Sequence, residues 1–139
     1  MEDINLKMVI AVSRSFHQLF EKIEKNVHGF DLNISEFGVL EMLYHKGDQP
    51  VQKIAGKILV TSGTITYVIN KLQKKDLVIR KKCESDGRIY YVSLTEKGEN
   101  LISNIFPKHE EFLDDLFKDL SPIEKESILE NLKNFTSKI

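Results

Sequence analysis

Asp86, Gly87 and Arg88 place a carboxylate, a turn-forming glycine and a guanidinium in succession, directly ahead of the strand-forming run Ile89 to Leu94. An arginine at a hairpin tip can pair with its neighbouring carboxylate in water, which is worth little. It can also reach into a narrow, A·T-rich minor groove, where negative potential is concentrated. A second constellation lies upstream. At about 100° per residue with Ile65 at the origin, Val68, Ile69 and Leu72 fall within about 60° and form a core face. Gly63, Tyr67, Asn70 and Lys74 point the opposite way, with Thr66 and Lys71 on the flanks. Hydroxyl, amide and ammonium groups are the types that contact base edges and phosphates, and a glycine lets a helix N-terminus approach a backbone closely.

Other chemistries have weaker support. Cys83 stands beside Lys81 and Lys82, which favour a thiolate and make it the candidate redox-sensing residue. As the only cysteine, it forms no internal disulfide and no all-cysteine zinc site. Glu41 and His45 are spaced i, i+4, with His109 far along the chain, too few ligands to assign a metal. There is no glycine-rich phosphate loop, no Gly-x-Ser-x-Gly turn and no clustered carboxylate pair. The expectation is a protein that is not an enzyme and has no cofactor.

The charge supports the nucleic-acid reading. The net charge of −1 conceals a segment from Val51 to Tyr91 with nine basic residues against three acidic ones. Positive potential concentrated on one region is what attraction to a phosphate backbone requires. The N-terminus has no basic signal-peptide region and no apolar run near the ~20 residues of a membrane span, so a soluble cytoplasmic protein without a membrane partner is expected. With 139 residues, one domain is expected.

Hydrophobic periodicity supplies the elements that must hold these residues. Ile4, Val9, Val12, Phe16, Leu19, Phe20, Ile23 and Val27 mark one face of a long first helix stopped by Gly29. A second helix is expected from an N-cap at Ser35 to Lys46-Gly47. A short third helix should carry Pro50 in its first turn and bury Val51, Ile54, Ala55 and Ile58. After a break at Leu59-Val60, Thr61 or Ser62 caps a fourth helix running to about Lys75. Two such helices joined by a tight turn are a helix-turn-helix arrangement. The runs 77–82 and 89–94 then form a hairpin, or wing. A fifth helix runs from Thr95 towards Leu120, with Pro107 expected to kink or divide it. Ser121-Pro122-Ile123-Glu124 is a capping box that opens a sixth. The first, fifth and sixth helices carry more apolar surface than the small winged region can cover, which points to a second copy of the chain.

Asp86-Gly87-Arg88 followed by Leu94-Thr95-Glu96-Lys97-Gly98, together with Ile54-Ala55, Thr64-Ile65-Thr66 through Leu72 and Leu77-Val78, resembles the MarR family of bacterial transcriptional regulators over nearly the whole chain. The resemblance implies a mainly α (α+β) fold spanning residues 1–139. Residues 1–30 and 95–139 would be dimerisation helices, and 31–94 a winged helix-turn-helix DNA-binding region. It implies a homodimeric repressor on a pseudo-palindromic double-stranded DNA operator, with the fourth helix in the major groove and the wing in the minor groove. The DNA-binding set is then Thr61, Ser62, Gly63, Thr64, Thr66, Tyr67, Asn70, Lys71 and Lys74, with Arg88 held in place by Asp86. Phe16, His17, Phe20 and Phe37 would line the cleft where family members take small aromatic effectors. Zinc-responsive relatives place two histidines on the fifth helix, where this chain has one. The stretch Gly56 to Ile69 is similar to a subgroup of repressors that answer quinones and related electrophiles, which implies a quinone-like effector. Asp76 departs from the family pattern, which has glycine before the Leu-Val strand; a left-handed turn there is within reach of aspartate. The alternative is a winged-helix protein-interaction module without a DNA target.

Overall fold

The computed structural model describes residues 3–58 and 62–139, with only the backbone described at Ser62 and Gly63. Met1, Glu2, the expected break at Leu59-Val60 and the candidate cap Thr61 lie outside the described residues. The described chain forms α1 (Ile4–His28), α2 (Ile34–Lys46), β1 (Gln49–Pro50), α3 (Val51–Ile58), α4 (Ser62–Lys74), β2 (Val78–Lys82), β3 (Tyr90–Leu94), α5 (Glu96–Leu116) and α6 (Pro122–Lys138). This is the expected mainly helical fold with a small antiparallel sheet. Two compact units divide it, Met1–Pro107 and Lys108–Ile139. No described helix is long and apolar enough to cross a membrane.

In the first unit the core gathers one face from each element. Val27, Leu40, Leu43, Ile54, Ile65, Ile69, Leu72, Val78, Val92 and Ile102 are buried together. The period-three-and-four stripe of α4 packs inward as expected, with Ile65, Val68, Ile69 and Leu72 all buried. Most of α1 behaves differently. Only Val27 of that helix is buried, and Ile4, Leu6, Val9, Ile10, Phe16 and Phe20 face solvent. In the second unit α6 likewise buries no residue, leaving Ile123, Ile128, Leu129 and Leu132 exposed.

Several local expectations need correction. The N-cap of α2 is Asn33, not Ser35. The Asn33 Oδ1 accepts the Glu36 N–H at 2.8 Å, and the Glu36 carboxylate accepts the Asn33 N–H at 3.0 Å. This reciprocal box satisfies two backbone donors at once, which a cap at Ser35 would leave open. Pro50 is not in the first turn of α3. Gln49–Pro50 instead pairs antiparallel with β3, with Gln49 opposite Val92 and Pro50 opposite Tyr91. β1 is an edge strand of the sheet ordered β1-β3-β2, the position where a residue lacking an N–H is tolerated. Gly29 follows the last residue of α1 but keeps a right-handed conformation; the left-handed residue is Asp31, at φ 61°. Pro107 does not divide α5, which continues to Leu116. It stops short of Leu120 because the bonds tighten to the i→i+3 type, Lys118 N–H to Asp115 O and Leu120 N–H to Phe117 O. The α6 capping box forms as expected, with Ser121 Oγ accepting the Glu124 N–H at 3.1 Å and Glu124 accepting the Ser121 N–H at 3.0 Å.

Asp76 adopts φ 61°, so the glycine-like turn between α4 and β2 is made by aspartate. That turn presents three successive carbonyls to the start of α5. Lys97 Nζ donates to Lys75 O at 3.0 Å, Thr95 Oγ1 to Asp76 O at 2.6 Å, and the Thr95 N–H to Leu77 O at 3.1 Å. The Thr95 hydroxyl oxygen also accepts the Gly98 N–H at 2.9 Å. Threonine and glycine in Leu94-Thr95-Glu96-Lys97-Gly98 therefore have separate duties: the hydroxyl ties two elements together, and the missing Cβ lets α5 lie against Leu77.

Candidate nucleic-acid interface

With the apolar stripe of α4 buried, the opposite face is left to solvent. Thr64, Thr66, Tyr67, Asn70 and Lys74 are exposed, Tyr67 at 66%. The hydroxyls, amide and ammonium selected by helical geometry thus share one outward surface. Ser62 opens the helix; of Gly63, only the helical backbone is described. Lys71 sits at the flank, its ammonium 3.9 Å from the buried Glu36 carboxylate.

Glu36 is an organising residue that the sequence reading passed over. Its side chain is almost fully buried. One oxygen closes the α2 cap, and the other lies 2.9 Å from Lys75 Nζ as an ion pair outside hydrogen-bonding geometry. Lys75 also donates to the Asp31 carbonyl at 3.1 Å. A buried carboxylate needs such partners, and these bind the end of α4 to the start of α2. The signal was available as Asn33-x-x-Glu36, a capping-box spacing.

The wing hairpin is in register from Val78 opposite Leu94 to Lys82 opposite Tyr90. At its tip Asp86 accepts from Arg88 three times: from the backbone N–H at 3.0 Å, from Nε at 3.1 Å and from Nη2 at 3.2 Å. The arginine's side-chain and backbone donors hold the Asp86 carboxyl below its ordinary pKa. The pair is exposed, so its contribution to stability is small. Its geometric effect is larger: two of the guanidinium nitrogens face the carboxylate, while the side chain as a whole remains 91% exposed. The Arg88 cation is fixed in place at the exposed wing tip by a fork-to-fork pairing.

Cys83 lies at the wing, half-buried. Its thiol is shifted below the ordinary value, first by the Ser85 hydroxyl at 3.1 Å and then by the backbone N–H groups of Asp86 and Ser85. The neighbouring Lys81 and Lys82 are not the cause, contrary to the sequence-based expectation.

A second residue that sequence reasoning missed is Arg80. It lies on the inner face of the hairpin, opposite the buried Val92. Its guanidinium stands 5.2 Å from the Tyr90 ring centre, and Nη1 donates to Asn70 Oδ1 at 3.3 Å. The signal was its alternation with Val78, which puts a cation on the face a strand normally turns to the core.

The candidate effector residues are not all brought together. Phe16 and Phe20 stack at 4.3 Å and His17 meets Phe16 edge-on at 5.8 Å, all on exposed α1 surface. Phe37 is instead part of the buried core. A separate recess of about 540 Å³ lies between α2 and α3, with Met42, His45 and Ile58 in its lining and Glu41, Lys53 and Lys57 supplying charge. Glu41 and His45 do not meet a third metal ligand, and no group of three or more potential ligands exists among the described residues. His45 packs against Phe106, and His109 is buried near Phe112.

A helix-turn-helix with an outward polar α4 and a cation-tipped hairpin defines a winged helix-turn-helix regulator. Residues 32–90 match the family model for MarR. The chain is 45% identical over 133 residues to the HTH-type transcriptional regulator MhqR of Bacillus subtilis, covering 96% of this chain and 92% of that one. It belongs to the MarR family, a family of DNA-binding transcriptional regulators and not of enzymes. Solved structures agree on the fold. AbsC, a MarR family regulator of Streptomyces coelicolor, superposes with a TM-score of 0.88 at 21% identity, over 99% of this chain and 95% of that one. MepR of Staphylococcus aureus, solved in a DNA complex, superposes with a TM-score of 0.81 at 23% identity, over 99% and 100%.

Proposed function

We propose that this chain is a cytoplasmic, homodimeric repressor that binds a pseudo-palindromic operator and is released by a small aromatic or electrophilic effector. The observation that carries the DNA-binding part is the Asp86–Arg88 fork, which projects a guanidinium from the wing of a fold whose α4 turns Thr64, Thr66, Tyr67, Asn70 and Lys74 outward. In this reading α4, with Thr61, Ser62, Gly63 and Lys71 completing its contacts, enters the major groove and Arg88 the minor groove. Asp86 fixes the orientation of the arginine through its two-point pairing. Dimerisation is assigned to residues 1–30 and 95–139, and the exposed apolar faces of α1 and α6 support it.

The effector reading draws support from the exposed Phe16–Phe20 stack with His17, and from the cation-bearing recess between α2 and α3, which suits an anionic aromatic. The similarity of Gly56 to Ile69 to quinone-responsive repressors favours an electrophile, for which Cys83 is the nucleophile on hand.

Fluorescence anisotropy on a footprinted operator and on scrambled duplexes at two salt concentrations tests the DNA-binding reading. Arg88→Ala should weaken binding to operator and A·T-rich DNA alike and make the salt slope shallower by about one. Asn70→Ala should cost about 1–3 kcal/mol on the operator and little elsewhere. A wild-type protein whose binding does not respond to salt would instead be a protein-interaction module.

A further inference from the structure

Asn70 is exposed on the outward face of α4 and Arg80 stands behind it on β2, with 3.3 Å between Asn70 Oδ1 and Arg80 Nη1. A guanidinium has five donors and no acceptor. The amide arm facing it must therefore be the oxygen, and the orientation of Asn70 follows from chemistry. The other arm, the Nδ2 amino group, is the one turned away from Arg80. Arg80 cannot easily leave. Its guanidinium lies 5.2 Å from the Tyr90 ring centre, and its cross-strand partner Val92 is in the core.

An unrestrained asparagine reads adenine with two bonds, donating to N7 and accepting from the N6 amino group. Asn70 is not free to do this on equal terms. One lone pair of its oxygen is engaged, and the remaining one lies beside a permanent cation that repels an incoming amino donor. Guanine presents two acceptors, N7 and O6, in the same groove. Both the Nδ2 donor and the positive potential of Arg80 favour it.

We propose that Arg80 is a specificity-determining positioning residue: by holding the oxygen of Asn70, it makes that side chain a donor-only reader that selects guanine over adenine. The proposal rests on the assignment of α4 to the major groove and deepens it. Arg80 itself acts through Asn70, and its role is to set which base Asn70 accepts.

The test is a base-preference profile. Binding of wild type, Arg80→Met, Arg80→Lys, Asn70→Ala and the double variant Arg80→Met/Asn70→Ala is measured on operator duplexes carrying each of the four base pairs at each half-site position. Methionine keeps an apolar stem against Tyr90 and removes the donors; lysine restores one. In wild type, the position that loses its preference in Asn70→Ala should favour guanine. Arg80→Met should shift that position towards adenine by about 5- to 150-fold, the range of one good two-bond contact. Arg80→Lys should restore guanine, and the double variant should show no preference there. Should Arg80→Met fail to fold, Arg80→Gln, whose amide can accept as well as donate, should give a smaller shift in the same direction. A uniform loss of affinity with an unchanged profile would overturn the proposal while leaving the DNA-binding reading intact. So would an Asn70→Ala profile identical to wild type. Wild-type binding that responds neither to sequence nor to salt would overturn both.

Discussion

Replacing Gly98 by alanine probes the joint between α5 and the turn that follows α4. A Cβ at Gly98 overlaps the Leu77 carbonyl oxygen, and lies 2.9 Å from the Leu77 carbonyl carbon and 3.3 Å from its Cα. Every obstacle is backbone, so no side chain can rotate out of the way. Making room means moving Leu77, whose carbonyl accepts the Thr95 N–H at 3.1 Å. Over-packing of this kind costs about 1–3 kcal/mol, and weakening the bond adds roughly 1 kcal/mol. Alanine is favoured over glycine within a helix by about 1 kcal/mol, which offsets only part of that. The balance is a destabilisation of about 1–3 kcal/mol, or a fall in melting temperature of roughly 4–12 °C for a chain of this size. Thermal unfolding followed by circular dichroism at one fixed protein concentration reads it, since an oligomer's melting temperature depends on concentration. Specific DNA affinity should fall more than non-specific affinity, because Leu77 leads directly into the wing. Melting at or above the wild-type temperature would refute the steric reasoning, showing that propensity outweighs the contact.

The remaining predictions concern the buried carboxylate, the thiol and the apolar faces. Glu36→Gln keeps an acceptor for the α2 cap but removes the charge facing Lys75 and Lys71. Because both lysines are partly solvated, the expected loss is about 1–3 kcal/mol in urea unfolding, less than for a wholly buried pair; no loss would mean that the ion pair does not join α2 to α4. Cys83 should alkylate with a pH midpoint below that of an ordinary thiol, because the Ser85 hydroxyl and two backbone N–H groups favour the thiolate. Ser85→Ala should raise that midpoint while Lys81→Ala and Lys82→Ala leave it in place, and the reverse pattern would restore the lysines as the cause. Leu129→Asp, on an exposed α6 face, should give a folded monomer in sedimentation; an unaltered dimer would move the interface away from that face.

The spacing of apolar residues was enough to read α1, α4, the hairpin and α6, because in each the apolar positions recur on one face, whether that face is buried, as in α4 and the hairpin, or left exposed, as in α1 and α6. What escaped the sequence depends on competition between neighbours. Asn33 and Ser35 are both capping residues, and the choice between them was made by Glu36, whose burial also satisfies Lys75. Pro50 suits a first helical turn as well as a strand edge, and only the presence of β3 alongside decides. The candidate site divides the same way. The outward set on α4 and the Asp86–Arg88 pairing follow from local periodicity and turn chemistry. The Arg80–Asn70 bond joins residues on two elements, and nothing in the sequence between them announces it.

The end of α4 is anchored on two sides, and this bears on how the proposed dimer could space its recognition helices. Lys75 reaches back to Asp31 and Glu36 at the start of α2, while the carbonyls of Lys75, Asp76 and Leu77 accept from Lys97 and Thr95 at the start of α5. Two left-handed aspartates, Asp31 and Asp76, make this possible by turning their carbonyls towards those donors. Pivoting α4 about its C-terminus would stretch bonds on both sides together, whereas moving α4 along with α2 and the first turn of α5 stretches none of them. Half-site spacing on a pseudo-palindromic operator is a distance between two recognition helices. In the proposed dimer, a change in that distance that keeps these bonds moves α2, α4 and the first turn of α5 together.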